Sequence, residues 1–296
     1  MQVDTLMIHD SVDRCIYCDA TSNLSDEHVF AYGLGGNDIL PKASCVSCAK
    51  ITSAFEQDVL RGLWWLARAV LNFPSRRPKE MPTEFRISVE TKNGISREIV
   101  LSENEKFGVA GFPEYASPAF LASYPFVSGI LMTGHRMVGF GNSLEDIAKK
   151  YDLASINGSI SYKGTSFARM LAKIALGVAV ARFGLDNFEE IYVRNCILDK
   201  RDDVGMWVGS DYWAAPYGQL EHEAKSRHAS SIGRDDKDNV LVRIRLFSFS
   251  PFSPAYLIVV GRLHSGTSTK REGTAAKAFS RMEPLNGANN ISIDVC

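Results

Sequence analysis

Four cysteines stand in two close pairs, Cys15-Ile16-Tyr17-Cys18 and Cys45-Val46-Ser47-Cys48, with 26 residues between them. A C-x2-C turn brings two thiolates to one side of a metal ion, and two such turns complete a tetrahedron with Zn–S distances of about 2.3 Å. Four protein ligands leave no coordination position open, so a zinc ion held this way is structural. It would hold together a stretch with too few apolar residues before Cys45 to fold by burial alone. Unliganded thiols or a redox pair suit one C-x2-C; two at this separation read as one metal site. Between the pairs lie Asp26-Glu27-His28 and then Gly33-Leu34-Gly35-Gly36-Asn37. An imidazole titrates near neutrality and can take a proton from water, and a carboxylate beside it can hold a hard divalent cation.

An acidic residue followed by His, a Gly-rich loop, and a C-x2-C opening a helix together resemble the HNH, or ββα-metal (His-Me finger), endonucleases with a four-cysteine zinc site. The resemblance spans about residues 13–60. It implies a small zinc-stapled, treble-clef-like module and a metal-dependent endonuclease that hydrolyses phosphodiester bonds. In that reading His28 is the general base, Glu27 a ligand of a catalytic Mg2+ or Mn2+ ion, and Asn37 the residue that steadies the loop carrying the histidine. Many members carry the second metal ligand directly after the second knuckle, where this chain has Ala49. Glu56, seven residues along and on nearly the same helical face, is the substitute, and Phe55-Glu56 looks like part of a subgroup reading C-x2-C-A followed by T and F-E. Each residue also has a plainer role: His28 packed over the zinc site, Glu56 as a helix-surface charge or a partner of Arg61, Asn37 as a turn residue beside Gly35-Gly36.

Arg61, Arg68, Arg76, Arg77 and Lys79 follow the candidate site, with Glu80 the only acid between Arg61 and Pro82. Arg61 and Arg68 would share a face of a continuous helix, with Trp64 and Trp65 between them. Such a stripe either tracks a phosphate backbone, through contacts that weaken with salt, or is the solvated face of an amphipathic helix. The expected partner is nucleic acid, DNA ahead of RNA. The formal net charge of −1 gives no global argument for it, so the case rests on local patches.

These residues need elements to hold them. Apolar positions at Ile51, Phe55, Val59, Leu63, Leu66 and Val70 predict a helix from about Cys45 to Leu71. Phe73–Pro82 carries three prolines and reads as a linker, which divides the chain into a nuclease module at 1–73, a linker at 74–83 and an α+β domain at 84–296. Within that domain Asn93-Gly94 predicts a hairpin between 85–90 and 95–101. Ser143 caps a short helix, and a longer one opens at Thr165 or Ser166 and ends at Phe183, with Gly184 left-handed beyond it. Strands are predicted at 190–197, 240–249 and 255–264, with a weakly ordered tail after Ser265. The overall class is α+β.

The domain at 84–296 carries no recognisable motif. Arg169 with Lys173 and Arg243 with Arg245 are pairs that serve either an anionic ligand or salt-bridged surface. Glu221-His222-Glu223 reads as surface polarity, and Cys196 and Cys296 as unpaired. By resemblance to bacterial defence and mobile-element nucleases, in which an accessory domain restrains or directs cutting, the expected role of this domain is to select a target, partner or activating ligand. A single site makes one cut, so double-strand cleavage would call for a homodimer. With 45% hydrophobic and 23% charged residues, no apolar run near the roughly 18–20 residues of a membrane span and no basic, apolar leader at the N-terminus, the expectation is a cytoplasmic protein with no membrane partner. Two rivals stand beside the nuclease: a zinc-scaffolded module that binds nucleic acid without cutting, Ala49 marking a lost ligand, and a ligand sensor centred on residues 84–296.

Overall fold

Asp19, at φ 61°, lets the first cysteine pair close into a tight turn in which its N–H donates to the Cys15 carbonyl at 2.9 Å. The computed structural model describes residues 7–157, 163–212 and 227–267; Glu221-His222-Glu223, Cys296 and the tail beyond 267 lie outside them. The first sheet has β1 (Met7–Ile8), β2 (Leu24–His28) and β3 (Asp38–Cys45) in the order β1-β3-β2. In the antiparallel β2–β3 register Glu27 faces Leu40 and His28 faces Ile39. Gly36 turns the chain between them, and it must be glycine: a Cβ there would lie 1.9 Å from the Phe30 carbonyl oxygen. Cys45 ends β3 and caps α1 (Val46–Arg61), and α2 (Trp65–Val70) follows.

The predicted continuous helix is thus broken at Gly62, whose φ and ψ are −90° and −87°. The cause is Trp64. Its indole is fully buried, donates from Nε1 to the Gly111 carbonyl at 2.8 Å and packs against Phe112, Phe167 and Phe247. Reaching that core seat turns the chain out of the α1 axis.

The hairpin around Asn93-Gly94 forms as β4 (Phe85–Thr91) and β5 (Ser96–Leu101), with Gly94 at φ 79°. β6 (Phe107–Tyr115) and β7 (Met132–Gly141) make a two-stranded ribbon. Ser143 caps α3 (Leu144–Tyr151) by accepting from Glu145 and Asp146 N–H, and β8 (Leu153–Asn157) returns to pair with β4. α4 (Gly164–Phe183) precedes β9 (Phe188–Ile191), α5 (Arg194–Ile197), α6 (Val204–Trp207) and β10 (Val208–Ser210). β11 (His228–Arg234), β12 (Asn239–Leu246) and β13 (Ala255–Leu263) complete the largest sheet, ordered β10-β13-β12-β11 with β9 also on β13. The strand predicted at 190–197 ends at Ile191, because buried Val193, Cys196 and Ile197 recur at helical spacing and fold back as α5.

The class is mixed α+β with small sheets. α4 is apolar on nearly every face, as a helix surrounded by protein must be. It is long and apolar enough to cross a membrane, yet 72% of its most apolar window is buried inside the molecule, between α1 and the large sheet. Gly177 lets it seat against the chain just past β2, where a Cβ would come within 3.3 Å of the Val29 Cα. Cys15, Val29, Phe55 and Leu63 belong to the same buried cluster as Phe167, Ile174 and Ile258, so residues 74–83 join two parts of one core. A second, smaller cluster fills the space among β4, β5, α3 and β8.

His228 is half-buried against the large cluster, stacked on Phe30 at 5.2 Å between ring centroids. Its Nε2 donates to the Leu34 carbonyl at 2.9 Å, and its Nδ1 accepts from the Phe247 N–H at 3.1 Å. Burial lowers its pKa to about 4, with Arg227 adding repulsion. A folded pKa below the unfolded value means full stability above the unfolded value near 6.5, lost as pH falls toward 4. At about 1.36 kcal/mol per unit the loss is about 3 kcal/mol. Urea unfolding from pH 7 to pH 4 should show this excess loss in the wild type and not in His228→Gln; parallel pH profiles would refute it.

Candidate functional site

The two cysteine pairs meet. All four Sγ atoms lie within 4.8 Å of one another, and Cys18 Sγ is 3.6 Å from Cys45 Sγ. A tetrahedron of thiolates around zinc at about 2.3 Å has edges of about 3.8 Å, so the donor set and its spacing fit zinc. The position follows from local structure. The first knuckle is the turn closed by Asp19; the second straddles the junction of β3 and α1, where Cys45 caps the helix and Cys48 lies in its first turn. Free N–H groups at a helix N-terminus favour thiolates. A metal there ties the loop before β2 to the start of α1.

Beside this cluster opens a cleft of about 490 Å³ whose lining includes Glu27, His28, Glu56, Arg61, Arg76 and Arg77. Residues that are remote in sequence therefore share one wall system. His28, the last residue of β2, is half-buried, with its ring edge-on to Tyr32 at 6.0 Å. Neither ring nitrogen has a hydrogen-bond partner among the described residues. Burial lowers its pKa, and the Lys173 and Arg76 cations lower it further against the pull of Glu27 and Asp26. The imidazole is thus held neutral, the form that accepts a proton.

Lys173 dominates the floor of the cleft. It projects from the middle of α4 with 2% of its side chain exposed, and its Nζ lies 2.8 Å from Glu27 Oε1 and 2.9 Å from Glu56 Oε1. It also donates to the His28 carbonyl. Three oxygens thus surround the ammonium, two of them carboxylate and one backbone. Burial alone would discharge the amine, but the two carboxylates outweigh it and hold its pKa above the ordinary lysine value. Glu56 is shifted upward by burial beside Glu27, with Lys173 opposing. Tyr17, from the first knuckle, is buried close enough to feel both carboxylates, and its hydroxyl has no partner among the described residues.

Glu27 and Glu56 converge, as expected of two metal ligands, but the cation between them is an ammonium. A divalent ion bonded to both oxygens at about 2.1 Å would stand a few ångströms from Nζ. Like charges at 4 Å cost on the order of 4 kcal/mol per unit pair near a protein surface. The residues as arranged do not fit the expected Mg2+ or Mn2+ ion.

The basic residues divide. Arg76 is exposed, its guanidinium 5.6 Å from the Tyr32 ring centroid, and it makes no ion pair among the described residues. Arg61 and Arg77 are both held by Glu80, at 2.8 and 3.2 Å. Arg68 is 4% exposed and donates to the carbonyls of Gly33, Leu60 and Pro74, pinning the Gly-rich loop to α2, so it does not share an outer face with Arg61. Lys79 is exposed on a short turn outside the cleft lining. Asn37 is also outside it, on a smaller cavity of about 280 Å³ beside His228. Ala49 lines the cleft and offers no ligand. Of the pairs noted in the second half, Arg169 donates to the Ile197 carbonyl and pairs with Asp199, and Arg243 pairs with Asp211.

Sequence reasoning pairs Lys173 with Arg169, for an anionic ligand or a salt-bridged surface, and does not foresee its buried seat between Glu27 and Glu56. The signal was present: a lysine interrupting the most apolar helix of the chain must have a partner. Comparison of the chain with protein-family models, with curated proteins and with solved structures finds no match.

Proposed function

We propose that the cleft hydrolyses phosphodiester bonds of nucleic acid, with His28 as general base, on an HNH-like, treble-clef-like module scaffolded by zinc. The observation that supports it best is a neutral, half-buried imidazole with unengaged nitrogens on the wall of a cleft edged by arginines. In this reading Arg76 meets the phosphate, and Tyr32 offers a ring on which a base or sugar can rest. A water beside His28 gives its proton to the imidazole as its oxygen bonds to phosphorus. The P–O bond to the leaving oxygen then breaks, and that oxygen takes a proton from solvent. Lys173 is a positioning residue: it offsets one of the two negative charges of Glu27 and Glu56 and holds the end of β2 through the His28 carbonyl. DNA is the first substrate to try.

The test is cleavage of plasmid DNA, single-stranded DNA and RNA by wild type and His28→Ala at equal zinc content. Loss of a general base should lower the rate by about 10²–10⁴-fold. Because the base must be neutral, the rate should fall on the acid side with a midpoint below the ordinary histidine value near 6.5. Equal cutting by both proteins would remove His28 from the role.

A second reading is favoured by Lys173 itself: an internal cation already pairs with both acidic groups, so the module binds nucleic acid without cutting it. Salt-sensitive binding that is unchanged in His28→Ala, with no cleavage of any substrate, would select it.

A further inference from the structure

The floor of the cleft is built around a charge. Lys173 enters it from a helix whose neighbouring positions are almost all core, and an ammonium there is costly unless it is paired. It is paired by carboxylate oxygens from β2 and α1 and bonded to the backbone oxygen of His28. Hard oxygen donors converging on one point from separate elements are what a hard divalent cation binds, and water from the open cleft would fill its remaining positions. The charges agree as well. Two carboxylates and one ammonium leave one negative charge, whereas the same carboxylates with a divalent ion would be neutral.

We propose that Lys173 is a tethered cation standing in the place of a divalent ion: the native chain excludes Mg2+ and Mn2+ from Glu27 and Glu56, and removing the ammonium opens a divalent-cation site there. The idea uses the cleft of the nuclease reading but not its chemistry. The lysine supplies one positive charge at a fixed position, needs no ion from solution, and keeps the end of β2 in place. A lysine also cannot be chelated or exchanged.

The experiment uses the full, zinc-loaded chain and Mn2+ alone as the probe, with bound Mn2+ read by electron paramagnetic resonance and unfolding followed by heat. Wild type is expected to show no saturable Mn2+ site at millimolar Mn2+. Lys173→Ser is expected to show a single new site, tighter by about tenfold or more, that disappears in Lys173→Ser/Glu27→Gln. Mn2+ should also raise the Tm of Lys173→Ser and leave that of wild type unmoved, since a ligand stabilises only the state that binds it. Saturable binding by wild type that is lost in Glu27→Gln would overturn the proposal. So would a folded Lys173→Ser that binds no Mn2+. If Lys173→Ser does not fold alone, folding on addition of Mn2+ supports the proposal and failure to fold with it counts against. No cleavage is measured, so an inactive cleft leaves these outcomes unchanged, and an active one does not decide them.

Discussion

Stripped of its metal under reducing conditions, or carrying Cys48→Ser, the chain is expected to lose the fold of its N-terminal third and most of its global stability. The four Sγ atoms already lie within 4.8 Å of one another, and Cys48 is 4% exposed, so no water takes over its bond without moving α1. Structural zinc contributes on the order of 10–16 kcal/mol to the folding of zinc-finger peptides near neutral pH. That is as large as the whole ~5–15 kcal/mol net stability of an ordinary domain. The loss should spread beyond the knuckles, because Cys15, Cys45 and Cys48 belong to the cluster that also holds Phe167, Ile174 and Ile258. The measurement is metal content by mass spectrometry, about one zinc per chain, with thermal unfolding of the loaded, stripped and Cys48→Ser proteins. Stripped protein that melts where the loaded protein does would show that the thiols hold no structural ion.

The next largest effect is expected from Lys173→Met. Methionine keeps most of the side-chain volume but removes the charge, leaving Glu27 and Glu56 facing each other behind a protein wall. Breaking a buried ion pair by deleting one partner costs about 3–5 kcal/mol, because the remaining charge is stranded. The pH dependence has a definite sign. Burial already raises the Glu56 pKa against the pull of Lys173, so without the ammonium it lies further above its unfolded value and protonation favours the folded variant. The deficit against wild type should therefore be greatest at neutral pH and shrink as pH falls through the carboxylate range. Glu27→Gln/Lys173→Met should be better than additive, since it removes charge from both sides of the pair. Urea unfolding at several pH values tests all three points. A deficit under about 1 kcal/mol at pH 7 would mean that the triad is a contact made in passing, worth no more than a surface salt bridge.

Local features were legible where a single element decides the outcome. Asn93-Gly94 makes its hairpin because a two-strand turn there needs a positive φ, and Ser143 caps its helix because its hydroxyl reaches the next free N–H groups. Gly184 takes the positive φ expected of it but an extended ψ of 150°, since the chain leaves α4 straight into another turn. Periodicity failed where a long-range seat overrode it. The apolar spacing of residues 51–70 fits one helix, yet the burial of Trp64 splits it, and Arg68 turns from an expected surface cation into the clamp of the Gly-rich loop. The segment at 74–83 has the composition of a linker, but composition reports local stiffness and solvation; whether the flanking parts share a core depends on which faces meet.

What the sequence determined by itself was the demand for partners. Two C-x2-C pairs at this separation point to a metal, and a lysine within so apolar a helix calls for an anion. Which anions answer was decided only by the tertiary structure. Glu27 lies next to the end of a strand, Glu56 about three turns along a helix, and Lys173 comes from another helix far along the chain; they meet because α4 packs between α1 and the large sheet with Gly177 against Val29. Charge pairing acts over a few ångströms and leaves no trace in local spacing. The chain therefore announces that a buried charge must be neutralised, while the packing of three separate elements chooses the groups that neutralise it.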